Sequence, residues 1–181
     1  MRRISIAVLF SIAIAGTAWL AVSCRPSETP PVTESTPETV TELKSTVTMG
    51  DSEAAAQLLN GFYDVEGGSW RWTMSHFSVI LAVPEGAAGK ETELVMQFTI
   101  PQAVIDKLGP ITLSAQAGEV TLPPETYTQA GDCVYQRNLP ATAVTGEAVT
   151  ITFSLDKFLP PSGTDQRELG VIVTSIGLHT S

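Results

Sequence analysis

Past residue fifty or so, the sequence predicts an all-β fold, a sandwich or barrel of about eight or nine short antiparallel strands. Three observations predict it. Apolar residues recur with a period of two in several separate runs, as in Phe77-x-Val79-x-Leu81-x-Val83 and Val149-x-Ile151-x-Phe153-x-Leu155. Gly and Pro are plentiful, and past residue fifty most of them fall between such runs and punctuate them as turns. No run of helix length with a 3.6-residue period separates the strands, which argues against a βαβ sheet.

The chain opens on an export signal. Arg2 and Arg3 form a positive start, Ile4 to Val22 is almost unbrokenly apolar, and small residues precede Cys24. Residues 1–23 are therefore left out of the fold. Ala21-Val22-Ser23-Cys24 resembles a bacterial lipobox, which implies a lipid on Cys24 and anchoring to a membrane of the cell envelope. It departs from that pattern in having Leu20 one place early. Ala21-x-Ser23 also suits ordinary secretion, and the apolar run is long enough to remain as an uncleaved anchor. Arg25, following the lipobox Cys, is compatible with outer-membrane sorting in a Gram-negative cell.

Residues 24–52 read as a tether. Thr, Pro, Glu and Ser crowd the segment and aromatics are absent, so it buries too little apolar surface to offset its ordering entropy. As a flexible coil it spans roughly 30 Å. The domain is expected over 53–181. Ser52 is a candidate N-cap for a helical turn over the residues after it. Trp70 to Met74 is a candidate strand behind the Gly67-Gly68 turn, and the Phe77–Val83 run is the next. Glu93 to Ile100 places Leu94, Met96, Phe98 and Ile100 on one face. Pro101 to Leu108 suits one helical turn ended by Gly109-Pro110. Ile111 to Ala115 and Glu119 to Leu122 read as a hairpin. Cys133 to Arg137, Ala148 to Leu155 and Leu169 to Leu178 complete the set. Val171-Ile172-Val173 is apolar on both faces, which suits a central or covered strand.

The Gly- and aromatic-rich start, Trp70-Arg71-Trp72-Thr73, and the closing stretch Asp165 to Val173 resemble jelly-roll β-sandwich domains of bacterial envelope proteins. Those domains are similar to carbohydrate-binding modules. The resemblance implies a jelly roll and suggests a saccharide ligand, and it transfers no individual sugar-contacting residue.

Charge and motifs narrow the function. The formal charge is −9, and loss of Arg2 and Arg3 with the signal leaves 8 basic residues against 19 acidic ones, or −11. Such a surface repels nucleic acid and anionic lipid headgroups. The sequence contains no G-x-S-x-G elbow, P-loop, H-E-x-x-H or dinucleotide fingerprint, so no catalytic residue, cofactor or resident metal is assigned. Asp64, Glu66 and Asp132 lack the spacing of a calcium loop. With Cys24 lipidated, Cys133 stands alone and reads as a small buried hydrophobe. The candidate ligand-binding residues are Phe62, Tyr63, Trp70, Arg71 and Trp72. The two indoles, two apart on one strand, share a face and form a platform for sugar rings if that face is exposed. Arg71 points the other way and is expected to pair with Asp64, Glu66 or Glu168. The competing expectation is that these aromatics only pack, and that the module is structural or meets a protein partner.

Overall fold

The computed structural model describes residues 42–180. The export signal, Cys24 and the tether up to residue 41 lie outside them. Nine antiparallel strands make up the domain: β1 (Thr46–Thr48), β2 (Leu58–Phe62), β3 (Arg71–Ala82), β4 (Thr92–Ile100), β5 (Ile111–Ala117), β6 (Val120–Tyr127), β7 (Gly131–Leu139), β8 (Ala148–Leu155) and β9 (Ile172–Thr180). One short helix, α1 (Gln102–Leu108), joins β4 to β5.

The pairings are nested. The β5–β6 hairpin is innermost, β4 pairs β7 outside it, β3 pairs β8 outside that, and β1 pairs β9 outermost. This is a two-stranded ribbon rolled upon itself, which makes the domain a jelly roll. Rolling divides the strands between two layers. Sheet I runs β1–β9–β4–β7, and sheet II runs β2–β3–β8–β5–β6. The long strand β3 belongs to both layers: Arg71 and Trp72 pair with β9, and His76–Ala82 pair with β8.

Period-two alternation fills the space between the sheets. Leu94, Met96, Phe98 and Ile100 point in from β4, Phe77, Val79 and Leu81 from β3, and Ile151 and Phe153 from β8, all of them buried. Phe77 and Phe153 stack within sheet II at 5.0 Å, and Tyr135 of β7 meets Phe153 edge-on at 6.3 Å, bridging the layers. Such contacts add about 0.5–1.5 kcal/mol each beyond area burial.

The two remaining edges, β6 and β7, form no backbone ladder with each other, and Pro123 and Pro124 lack the donors for one. Side chains of β7 close the seam instead. Tyr135 Oη and Arg137 Nε each donate to the Pro123 carbonyl at 2.9 Å, and Arg137 Nη2 donates to Pro124 O at 3.2 Å. Tyr127 Oη donates back to Val134 O at 3.0 Å.

Four expectations change. The domain starts before residue 53: β1 lies inside the stretch assigned to the tether, with Val47 and Met49 fully in the core. Buried Gln57 fixes this segment, accepting from Lys44 N at 2.8 Å and donating to Lys44 O and Ile80 O. Ser52 makes no side-chain cap, and Asp51 Oδ1 takes the Glu53 N–H instead. The two candidate strands over 70–83 are one continuous strand. Finally, β6 runs five residues past the expected Leu122, because Pro123 and Pro124 sit on an edge where a missing N–H is tolerated, and β7 extends two residues beyond each expected end along its pairing with β4.

Candidate functional site

All five residues singled out in the sequence lie near the start of β3, but they do different jobs. Phe62 is half-buried: it packs edge-on to Phe77 at 5.4 Å, against the edge of the buried cluster. Gly61, at φ 74°, lets β2 press against the His76 backbone there. Among the described residues Arg71 makes no ion pair. Its Nε donates to Met49 O at 3.1 Å and its Nη1 to Tyr63 O at 2.9 Å, so the guanidinium ties β1 to the loop after β2. The expected pairing with Asp64, Glu66 or Glu168 fails because two otherwise unmatched carbonyls lie within its reach.

The carboxylate partner belongs to Arg167. Its fork grips Asp165 at 2.9–3.0 Å, and Nη1 reaches Glu66 Oε1 at 2.7 Å. Its guanidinium also lies 5.3 Å from the Tyr63 ring centroid. Tyr63 Oη accepts the Glu168 N–H at 3.1 Å. Arg167 and Tyr63 therefore stitch the β2–β3 loop to the β8–β9 loop. Hydrogen bonds from Arg167 hold the Asp165 carboxyl below the usual range. Ser75 does the same for Glu168, through its side chain first and then through its N–H, which donates to Glu168 Oε1 at 2.5 Å. Ser75 Oγ also lies 3.0 Å from His76 Nδ1.

At this end of the roll, a cavity of about 420 Å³ opens between α1 and the β8–β9 loop, walled by Leu108, Leu159 and Leu169 with Arg167 and Asp165 at its rim. Asp165 and Arg167 are paired with each other there, and Lys107 of α1 also lines the cavity.

Trp70 and Trp72 are each half-buried. Trp70 follows the tight Glu66–Trp70 turn, and its indole lies over Gly67, where a side chain would collide with Nε1. Trp72 sits opposite Ile172 of β9, which sits opposite Thr99 of β4, which sits opposite Asp132 of β7. Directly paired residues of antiparallel strands share a face. Arg71 and its partner Val173 belong to the inner side, so Trp72, Ile172, Thr99 and Asp132 form a row on the outer face of sheet I.

Two further rows continue that face. Thr48, Ser175, Gln97 and Val134 make the second; Thr46, Gly177, Val95 and Gln136 make the third. A bulge between Gln97 and Phe98 adds Thr174, whose hydroxyl donates to Gln97 O at 3.1 Å. Two hollows meet at Gln97 and Thr174. One, about 380 Å³, is bounded by Thr48, Gly50, Gly68, Ser69 and Ser175; the other, about 310 Å³, by Thr99, Asp132, Cys133 and Val134. Sequence reading missed these polar residues. Their signal was the outward half of each alternating run, which in β4 and β9 is largely uncharged.

Cys133 is half-buried at the rim of the second hollow and not in the core as expected. Burial, then Asp132 and Glu125, pushes its thiol up, away from a reactive thiolate. Glu66 is paired with Arg167, and Asp132 accepts from Thr99 Oγ1 at 2.7 Å. Among the described residues no group of three His, Cys, Asp or Glu converges as a metal site.

Fold and site together define a jelly-roll β-sandwich with half-buried Trp70 and Trp72 at the start of β3 and a polar, cation-free outer face on sheet I. No family model matches the chain, and no curated protein does. Among solved structures, it is similar to a family GH115 4-O-methyl-α-glucuronidase with specificity for decorated arabinogalactans, at 10% identity and TM-score 0.48. That match covers 77% of this chain but spans only 18% of the enzyme's. It is also similar to a CBM4 structure, at 10% identity and TM-score 0.35, over 75% of this chain and 85% of that one. Both likenesses are distant, and the jelly-roll assignment stands on the nested strand pairing.

Proposed function

We propose that this chain is a non-catalytic, lipid-anchored protein of the cell envelope whose jelly roll binds a glycan beside Trp70 and Trp72. One observation supports this best. Trp72 begins a row on the outer face of sheet I, neither it nor Trp70 is buried, and the next row of that face borders a hollow lined with hydroxyl and amide groups. Stacking on an indole with flanking hydroxyl and amide partners is chemistry suited to a sugar ring. The anchor is Cys24, and the tether keeps the domain near the membrane without entering it.

Titration of the protein against a panel of glycans, followed by Trp emission, tests the binding. A saturable response, weakened in Trp70→Ala and in Trp72→Ala variants that keep the native β-sheet circular dichroism, is expected. Absence of response to every glycan defeats the proposal. The anchor is tested separately: a Cys24→Ser variant is expected to leave the membrane fraction. The alternative reading, a protein-interaction module, draws on exposed Leu59 of β2 and Met74 of β3. Binding lost in Leu59→Ser with Trp70 and Trp72 intact favours it.

A further inference from the structure

The glycan reading leaves its ligand class open, and the distribution of charge in the domain narrows it. Seven Lys or Arg residues lie among the described residues: Lys44, Arg71, Lys90, Lys107, Arg137, Lys157 and Arg167. Five are engaged. Lys44 binds Asp51 and Glu53, Arg137 binds Glu125 and the seam carbonyls, and Arg167 binds Asp165 and Glu66. Arg71 donates to Met49 O and Tyr63 O, and Lys157 to Leu108 O and Pro110 O. The other two lie off the outer face of sheet I, Lys90 in the β3–β4 loop and Lys107 on α1.

The outer face of sheet I therefore presents no fixed cation. Its middle rows offer Thr48, Ser175 and Gln97, then Thr46 and Gln136, with Val134 and Val95 between them. Carboxylates appear only at its margins: Asp132 ends the first row, and Glu93, opposite His179 below the third, accepts from Gln136 Nε2 at 2.6 Å. The Gln97 side-chain amide, central to the face and exposed, makes no hydrogen bond to another side chain among the described residues. Three rows two residues apart over four strands cover roughly 13 by 14 Å, room for an oligosaccharide.

We infer that the glycan lies across this face, from Trp72 past Gln97, and that it is a neutral polysaccharide. This rests on the glycan-binding proposal above. The physical reason is desolvation. A hydroxyl-bearing chain exchanges water for the Thr, Ser and Gln groups, nearly in kind. A uronate or sulfate loses hydration without gaining a cation, and it meets the fields of Asp132 and Glu93.

The test uses soluble neutral polysaccharides (mannan, xylan, mixed β-glucan) and acidic ones (polygalacturonate, alginate) at pH 7.5, in low and in 0.5 M salt, conditions chosen on the order of those that screen exposed charge fully. The expected result is binding to a neutral polymer, little changed by salt, weakened about tenfold in Gln97→Ala, with acidic polymers at least about tenfold weaker, each tenfold step corresponding to about 1.4 kcal/mol. Gln97→Lys, which supplies the missing cation on an exposed side chain, is expected to raise affinity for the acidic polymers. Tighter, salt-sensitive binding of an acidic polymer by the native protein overturns the neutral assignment and leaves glycan binding standing. Neutral binding that falls in Trp72→Ala but is indifferent to both Gln97 variants overturns the location. No binding to any polymer overturns the glycan reading together with this inference.

Discussion

The loop end of the roll and the outer face of sheet I lie side by side and handle polar groups in opposite ways. At the loop end, Arg71, Arg167, Tyr63, Glu66, Asp165 and Glu168 satisfy one another or nearby backbone. On the sheet I face, Thr48 and Gln97 are exposed and keep side-chain groups available. Charged residues that stand out in a sequence are often those the fold itself requires, because a half-buried charge needs partners. The inconspicuous hydroxyls and amides on the outward half of a strand are the groups a ligand finds free.

Substitutions sharpen this contrast. The largest effect is expected at Phe62, which packs half-buried against the core: Phe62→Ala is expected to cost about 3 kcal/mol, the low end for a Phe truncation, in denaturant unfolding while leaving ligand affinity of the folded fraction unchanged. Next, Arg71→Ala strands the Met49 and Tyr63 carbonyls and is expected to cost about 1–3 kcal/mol. Arg71→Lys is expected to rescue little of it, since a point charge cannot span both acceptors.

A smaller effect, about 1 kcal/mol or less, is expected for Arg167→Ala, whose ion pairs are one-third exposed. Its pH signature matters more. Asp165 and Glu168 have lowered folded-state pKa values, so their contribution is complete above the unfolded values and disappears as pH falls through the folded ones. Stability is therefore expected to decline below about pH 4, with the Asp165 part of that decline absent in Arg167→Ala. A pH profile unaltered by the substitution removes the stitch from the account. The smallest stability effect is expected at Gln97: Gln97→Ala is expected to change unfolding by no more than about 0.5 kcal/mol while reducing glycan affinity.

Much of the fold was legible because burial imposes a strict alternation. The inward set of β4 and the whole of β8 follow directly from period two. β1 was not legible: Thr46-Val47-Thr48 is too short to show a period, and its composition matches the tether before it. Its place depends on β9 and on Gln57, neither of which is local. β6 was cut short because Pro123-Pro124 contradicts a central strand but not an edge closed by Arg137. At the site, the packing of Phe62 against the core and the turning of Arg71 onto carbonyls were not legible, since both depend on strand pairings far apart in sequence. The Thr48–Ser175–Gln97–Val134 row joins four strands and exists only once the roll has formed.

The most direct measurement is amide chemical-shift mapping of residues 42–180 during titration with the neutral oligosaccharide that most alters Trp emission. The account predicts shifts concentrated at Thr48, Trp72, Gln97, Thr174, Ser175 and Val134, with the Glu66 and Asp165–Glu168 amides quiet. Shifts confined to Tyr63–Glu66 and Asp165–Leu169 would contradict it, moving the ligand to the loop end.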